Sequence, residues 1–482
     1  MRPSSRITSR RDIELNTLPH LDLKEFTPFA GRLSIGARSV DLTFQLRITL
    51  AGECEFDFPR LPHDNSTLFI QTEHNKPGST FSQFTLDGTA SDGTVFHTDS
   101  LQFHSLNWNF TQQDGRRLSI EGSCTIASLT RHSESTLLPQ LSFHLLGFSN
   151  FGSLHATCRL GKVAMFGSKP ADKTDLLNIS GSIIIEPETK PDSIEDWQAE
   201  AEKLLEHIRR VMSLASAVML KAPVRQLRYQ NVLRIEMWAQ SRQGPDSLRV
   251  IPDMTQEAIF KSAVASFFEP PIEARNLHFA IEWFNMDASH NEVRLVSAMT
   301  ALENLVNSNL GSADIFIQEP KLFEKTTRRA IRAQIKTSVA DWPEDDAADM
   351  VAELNEKLVD LNRRSLIRKI YRLAERWSVP LANITKEQLA AVIQARNSIV
   401  HRGQYYDDGR HTNDELVELW EHVMIARELV VRLLLTIIAY QGMYISYVGG
   451  FHTASFPPID TNTLDSSHGS RTVSPSEDES KA

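Results

Sequence analysis

The chain has 482 residues, 41% of them hydrophobic and 23% charged, too long for one ordinary domain and of soluble, globular composition. Its net charge of −10 excludes a protein that coats nucleic acid through bulk charge, but leaves room for a local basic patch on an acidic body. The three cysteines, Cys54, Cys124 and Cys158, lie far apart with no CxxC pair. Neither a zinc site nor a disulfide framework is expected, and a reducing, cytoplasmic setting fits.

Residues 1–15, MRPSSRITSRRDIEL, are basic and serine-rich without the apolar core of a secretory signal, and read as a flexible N-terminus. Residues 16–190 are β-rich. Runs such as RLSIGARSVDLTFQLRITL, RLSIEGSCTIASL and NISGSIIIEP alternate apolar with polar residues and are punctuated by Gly, Asn and Asp, which predicts a sandwich-like or barrel-like sheet domain. Its histidines lack metal-ligand spacing. EPETKPDS (186–193) marks a boundary, and Asp192 with Glu195 predicts a capped helix start. Residues 191–250 read as a connector or as the end of the sheet domain: an amphipathic helix, then a stretch of local β character, a short hairpin, within 222–240.

Residues 251–450 carry helical periodicity. The candidate helices span 255–269, 274–289, 291–310, 320–342, 349–377, 386–402 and 413–440, joined by polar or proline-containing turns. The most apolar run, 429–448, contains Arg432 and Gln441, which suits a buried helix and not a membrane span. Residues 451–482, rich in serine and charge, read as a disordered tail. The expected fold class is therefore α+β: a β-rich N-terminal domain followed by an all-α bundle.

One stretch of the bundle asks for a chemical explanation, ARNSIVHRG at 395–403. Thr385 with Gln388 forms a capping box, and Gly403 suits the position just past a helix end. A helix over 386–402 puts Arg396 on the stripe of Val392, Ile393 and Val400. An unpaired guanidinium there costs several kcal/mol, so Arg396 either meets a buried carboxylate, for which Glu303 is the candidate, or lines a cleft and awaits an anion. His401 lies in the last turn, where the helix dipole favours imidazolium. Histidine is a general acid or base near neutrality, and arginine holds phosphate bidentately. Together they suit phosphodiester cleavage in which the ribose 2′-OH is the nucleophile and no metal or cofactor is needed.

RNSIVHRG, late in a helical domain, resembles the Arg-Asn-x3-His signature of the HEPN superfamily, which includes many metal-independent ribonucleases. A β-rich N-terminal domain before a HEPN domain is similar to the ApeA-like anti-phage defence proteins. The resemblance implies an endoribonuclease acting as a toxin or abortive-infection effector, its N-terminal domain a sensor or regulator that answers a phage-derived trigger. It implies that Arg396 binds the scissile phosphate, that His401 is the general base or acid, and that Asn397 orients one or the other. It also implies a homodimer pairing two motifs in one cleft. An i, i+5 spacing turns Arg396 and His401 about 140° apart on one helix, so a two-fold copy helps complete the site.

Arg364, Arg368, Arg372 and Arg376 recur every fourth residue. With Arg402 they are candidates for holding RNA, against the alternative of a solvated, salt-bridged face. Tyr405 and Tyr406 stand as base-stacking candidates or members of an ordinary polar loop. No Walker A, Rossmann glycine or HExxH pattern is present. The other reading of the whole is a non-catalytic HEPN dimerisation or nucleotide-binding protein in which Arg396 is a structural ion.

Overall fold

A computed structural model of the chain describes residues 26–58, 61–62, 83–111, 115–149, 152–167, 178–240, 248–406 and 412–458. The expected flexible N-terminus lies outside these residues, as does the tail beyond 458. The architecture is α+β, with antiparallel strands in the N-terminal half and helices in the C-terminal half.

The strands are β1 (Thr27–Ile35), β2 (Arg38–Ile48), β3 (Cys54–Asp57), β4 (Leu61–Pro62), β5 (Phe84–Ala90), β6 (Val95–Thr111), β7 (Gly115–Cys124), β8 (Ile126–Leu146), β9 (Ser153–Cys158), β10 (Gly161–Gly167), β11 (Ile179–Glu186) and β12 (Lys221–Trp238). They form one branched hydrogen-bonded network, β3-β2-β1-β5-β6-β8-β11-β10-β9, with β12 on β8 and β7 bridging β6 and β4. The alternation of the sequence shows why they pair. In β2, Leu42, Phe44, Leu46 and Ile48 are buried while Asp41, Thr43 and Ser39 face out. Phe29, Phe44, Phe56, Phe58 and Phe96 interlock through stacked and edge-on contacts. Gly88 makes room for them: a Cβ there would come 2.6 Å from the Phe44 ring.

The helices are α1 (Ile194–Ser216), α2 (Gln256–Phe268), α3 (Leu277–Phe284), α4 (Asn291–Asn309), the single turns α5 (Ser312–Ile315) and α6 (Pro320–Phe323), α7 (Arg329–Ser338), α8 (Glu344–Lys357), α9 (Leu366–Trp377), α10 (Lys386–Arg402) and α11 (Asn413–Ile437). Helix α1 starts one residue later than expected: Ser193, not Asp192, is the cap, accepting from the Asp196 amide. Its buried face, from Trp197 through Leu204 and Ile208 to Met212, packs on Phe143, Ile183 and Ile185 of the sheet and continues into α2, α3, α4 and α11. Sheet and bundle thus share one apolar core, with a second, phenylalanine-rich core inside the sheet network.

Three expectations are corrected. The stretch 222–240 is not a hairpin but the single strand β12, which pairs with β8 along its length through register shifts near Gln230. The helix expected over 349–377 is broken. It comprises α8, a short 3-10 turn at Asp360–Asn362, and α9. Asn362 breaks it by pairing through its side-chain amide with both backbone groups of Gln318. The tail begins with structure: β13 (Gly442–Ser446) and β14 (His452–Phe456) form a hairpin, tied on through the Ile445 amide, which donates to the Val250 carbonyl.

Helix α11 is buried along most of its length, and among the described residues no helix is long and apolar enough to cross a membrane. Two of its buried charges, Arg432 and Glu428, are paired. Arg432 donates to Glu428 at 2.8 Å and to the carbonyls of Pro380 and Ala382, while Tyr444 donates to the same Glu428 oxygen at 2.7 Å.

Candidate functional site

Helix α10 carries the motif, and its limits follow from local chemistry. The Thr385 hydroxyl accepts from the Gln388 amide while the Gln388 side chain accepts from the Thr385 amide, and Gly403 closes the helix at φ 79°. Leu389, Val392 and Ala395 are buried and pack the helix against α4, α9 and α11. The opposite face, with Ala390, Gln394, Asn397, Val400 and His401, is exposed.

Arg396 stands at the border between these faces. Its guanidinium meets Glu303 of α4 at 3.0 and 3.2 Å, with the two side chains 23% and 27% exposed. It also donates to Asn397 Oδ1 at 3.1 Å, and its Nε is buried with no hydrogen-bond partner among the described residues. The carboxylate partner expected from sequence is therefore in place. The pair is nevertheless partly open to solvent and not sealed in the core.

His401 is exposed and lies on an open concavity of about 470 Å³ together with Ile393, Gln394, Asn397, Ser398 and Arg402. Arg396 does not line this concavity. Within one copy the structure brings Arg396, Asn397 and Glu303 into one hydrogen-bonded group and sets His401 a turn further on, in the concavity that Asn397 also lines. Arg402 donates to the Ser398 hydroxyl at 2.9 Å.

The basic ridge divides. Arg372 and Arg376 both pair with Asp314, at 2.6 and 3.1 Å, and Arg376 also donates to the Asn309 carbonyl. Their charge fastens α9 to the α4–α5 corner, the salt-bridged alternative to holding RNA. Arg364 precedes α9 and so leaves the ridge. Its amide donates to the Ile315 carbonyl and its Nε is buried. Only Arg368 of the four is exposed without an ion pair among the described residues.

On the other flank of α10, Arg402, Tyr405 and Tyr406, already candidates from sequence, join residues the sequence reading missed, Glu418 and His422 above all. Gln394, Ser398, Arg402, Tyr405, Glu418 and His422 line a hollow of about 290 Å³, with Tyr406 buried beside them. The i, i+4 pair Glu418 and His422 lies on α11, and its polarity within an apolar helix was the available signal. Burial, then the Glu418 carboxylate, pushes the Tyr405 hydroxyl up to about 12, so it stays a neutral donor. Burial lowers His422 against the pull of Glu418 and Glu421. No cluster of three or more metal-ligating side chains occurs among the described residues.

Compared with models of known families, with curated proteins and with solved structures, the chain matches none.

Proposed function

We propose that the chain is a metal-independent endoribonuclease of HEPN type, serving as a toxin or abortive-infection effector, with the β-rich half as its sensor or regulator. One observation carries the reading: an exposed imidazole, His401, shares a solvent-open hollow with Asn397, and Asn397 is hydrogen-bonded to a guanidinium that Glu303 holds outside that hollow, at the border of the helix's buried face. In this reading His401 takes the proton from a ribose 2′-OH, the oxygen attacks the adjacent phosphorus, and the leaving 5′-oxygen is protonated in turn. Arg396, oriented by Glu303 and Asn397, stabilises the charge on the five-coordinate phosphorus. The products are a 2′,3′-cyclic phosphate and a 5′-hydroxyl. Because His401 and Arg396 do not share a cavity in one copy, pairing of two copies is part of the proposal.

The test is cleavage of total cellular RNA by the full chain and by His401→Ala, with the ends of the products mapped. The imidazole is exposed, so the variant folds normally, and its cleavage rate should fall at least about 100-fold, the weight of a general base. Unchanged cleavage by a clean preparation removes His401 from the chemistry. Loss of cleavage on adding EDTA argues for a metal-dependent reaction instead.

A second reading rests on the satisfied Arg396–Glu303 pair. It makes Arg396 a structural ion in a non-catalytic dimerisation or nucleotide-binding module. Unfolding of Arg396→Ala, with no RNA cleavage by the unaltered chain, favours it.

A further inference from the structure

The hollow on the far flank of α10 has a chemistry of its own. It shares Gln394, Ser398 and Arg402 with the concavity that holds His401, so a polymer bound at one reaches the other across a single ridge. At about 290 Å³ it sits at the small end of the roughly 300–1,000 Å³ of ligand pockets, which suits one base and not a dinucleotide. Glu415 and Glu418 line it against the single cation Arg402, a balance that favours a neutral hydrogen-bond donor over a phosphate.

What it offers is an acceptor. The Glu418 side chain is 58% exposed and approaches its neighbour His422 only at 3.9 Å, beyond hydrogen-bonding reach; it accepts from the Tyr405 hydroxyl, which leaves lone pairs on both carboxylate oxygens for a further donor. His422, 8% exposed, lines the hollow beside it and closes its inner side. Tyr405, edge-on to both Tyr406 and His422, supplies an aromatic wall.

Of the four RNA bases only guanine presents two parallel donors, N1–H and N2–H, at the spacing of the two carboxylate oxygens, with the O6 acceptor next to them. Uracil has one donor between two acceptors, and adenine and cytosine set an acceptor beside their amino group. We infer that this hollow is a guanine-reading subsite, in which the Glu418 carboxylate accepts from the N1–H and N2–H of a base next to the phosphate cut at Arg396 and His401. This rests on the ribonuclease reading for its substrate and makes that substrate guanine-containing single-stranded RNA.

The test uses the full chain with His401→Ala, which spares the probe, and fluorescein-labelled oligouridylates carrying one central G, A or C. The G probe should bind about tenfold or more tightly than the others. Adding Glu418→Gln, which replaces one acceptor oxygen by a donor, should erase that difference. Circular dichroism of the exposed Glu418→Gln variant checks that its fold is kept. In the unaltered chain, mapped cuts should cluster beside guanines, and Glu418→Gln should redistribute them. Equal binding of the three probes, or a guanine preference that survives Glu418→Gln, overturns the subsite. Cleavage without base preference overturns it while leaving the ribonuclease reading intact. A chain that cuts no RNA yet holds the G probe through Glu418 does the reverse.

Discussion

At the scale of single residues the decisive contact is Arg396 with Glu303. Both side chains are about three-quarters buried, so the pair lies between a surface bridge and a fully desolvated one. Arg396→Ala should lower stability by about 1–2 kcal/mol, leave a folded protein, and abolish cleavage. A urea titration beside an RNA-cleavage assay reads both effects, and collapse of the fold assigns the arginine a structural role. This partner was legible because a glutamate inside the apolar helix SAMTALENLVNSNL needs a cation and Arg396 needs an anion. The fate of Arg372 and Arg376 was not, since a run of arginines reads the same whether its partner is solvent, RNA or an aspartate. Asp314, some 60 residues away, decides it.

At the scale of elements, what was legible is what is local. The ends of α10 are written in Thr385, Gln388 and Gly403, and each does what its chemistry dictates. Gly403 at φ 79° reverses the chain toward Tyr405, so Gly403→Ala strains the turn that builds the second hollow. It should cost about 1 kcal/mol, read as a shift in the midpoint of urea unfolding, and no shift argues against the strain. Elements set by distant partners escaped. The polar YQN at 229–231 imitates a hairpin turn, but β8 carries β12 straight past it, with the irregularity absorbed at Gln230, φ 53°. Likewise the periodicity of 349–377 runs unbroken in sequence, while Asn362 finds the Gln318 backbone and ends the helix.

At the scale of the whole molecule, the Arg432–Glu428 pair holds α11, the loop at 380–382 and the β13–β14 hairpin together, with side chains 5% and 3% exposed. Arg432→Ala strands a buried carboxylate and should cost about 3–5 kcal/mol, seen as a fall in the thermal midpoint. A shift within error removes the pair from the stability of the bundle. On the proposed reading a second copy completes the chemistry. One copy leaves His401 in a hollow that Arg396 does not line, and the exposed face of α10, with Ala390, Asn397 and Val400 around His401, is the surface a second copy would meet. If the arginine of one copy serves the histidine of the other, two inactive chains can repair each other. Mixing Arg396→Ala with His401→Ala in equal amounts and allowing exchange gives half mixed dimers, each with one complete site of two. Cleavage should return to about a quarter of the unaltered rate. Native mass spectrometry of the same mixture verifies that exchange has occurred, and mixed dimers without activity would place arginine and histidine of one reaction in the same chain.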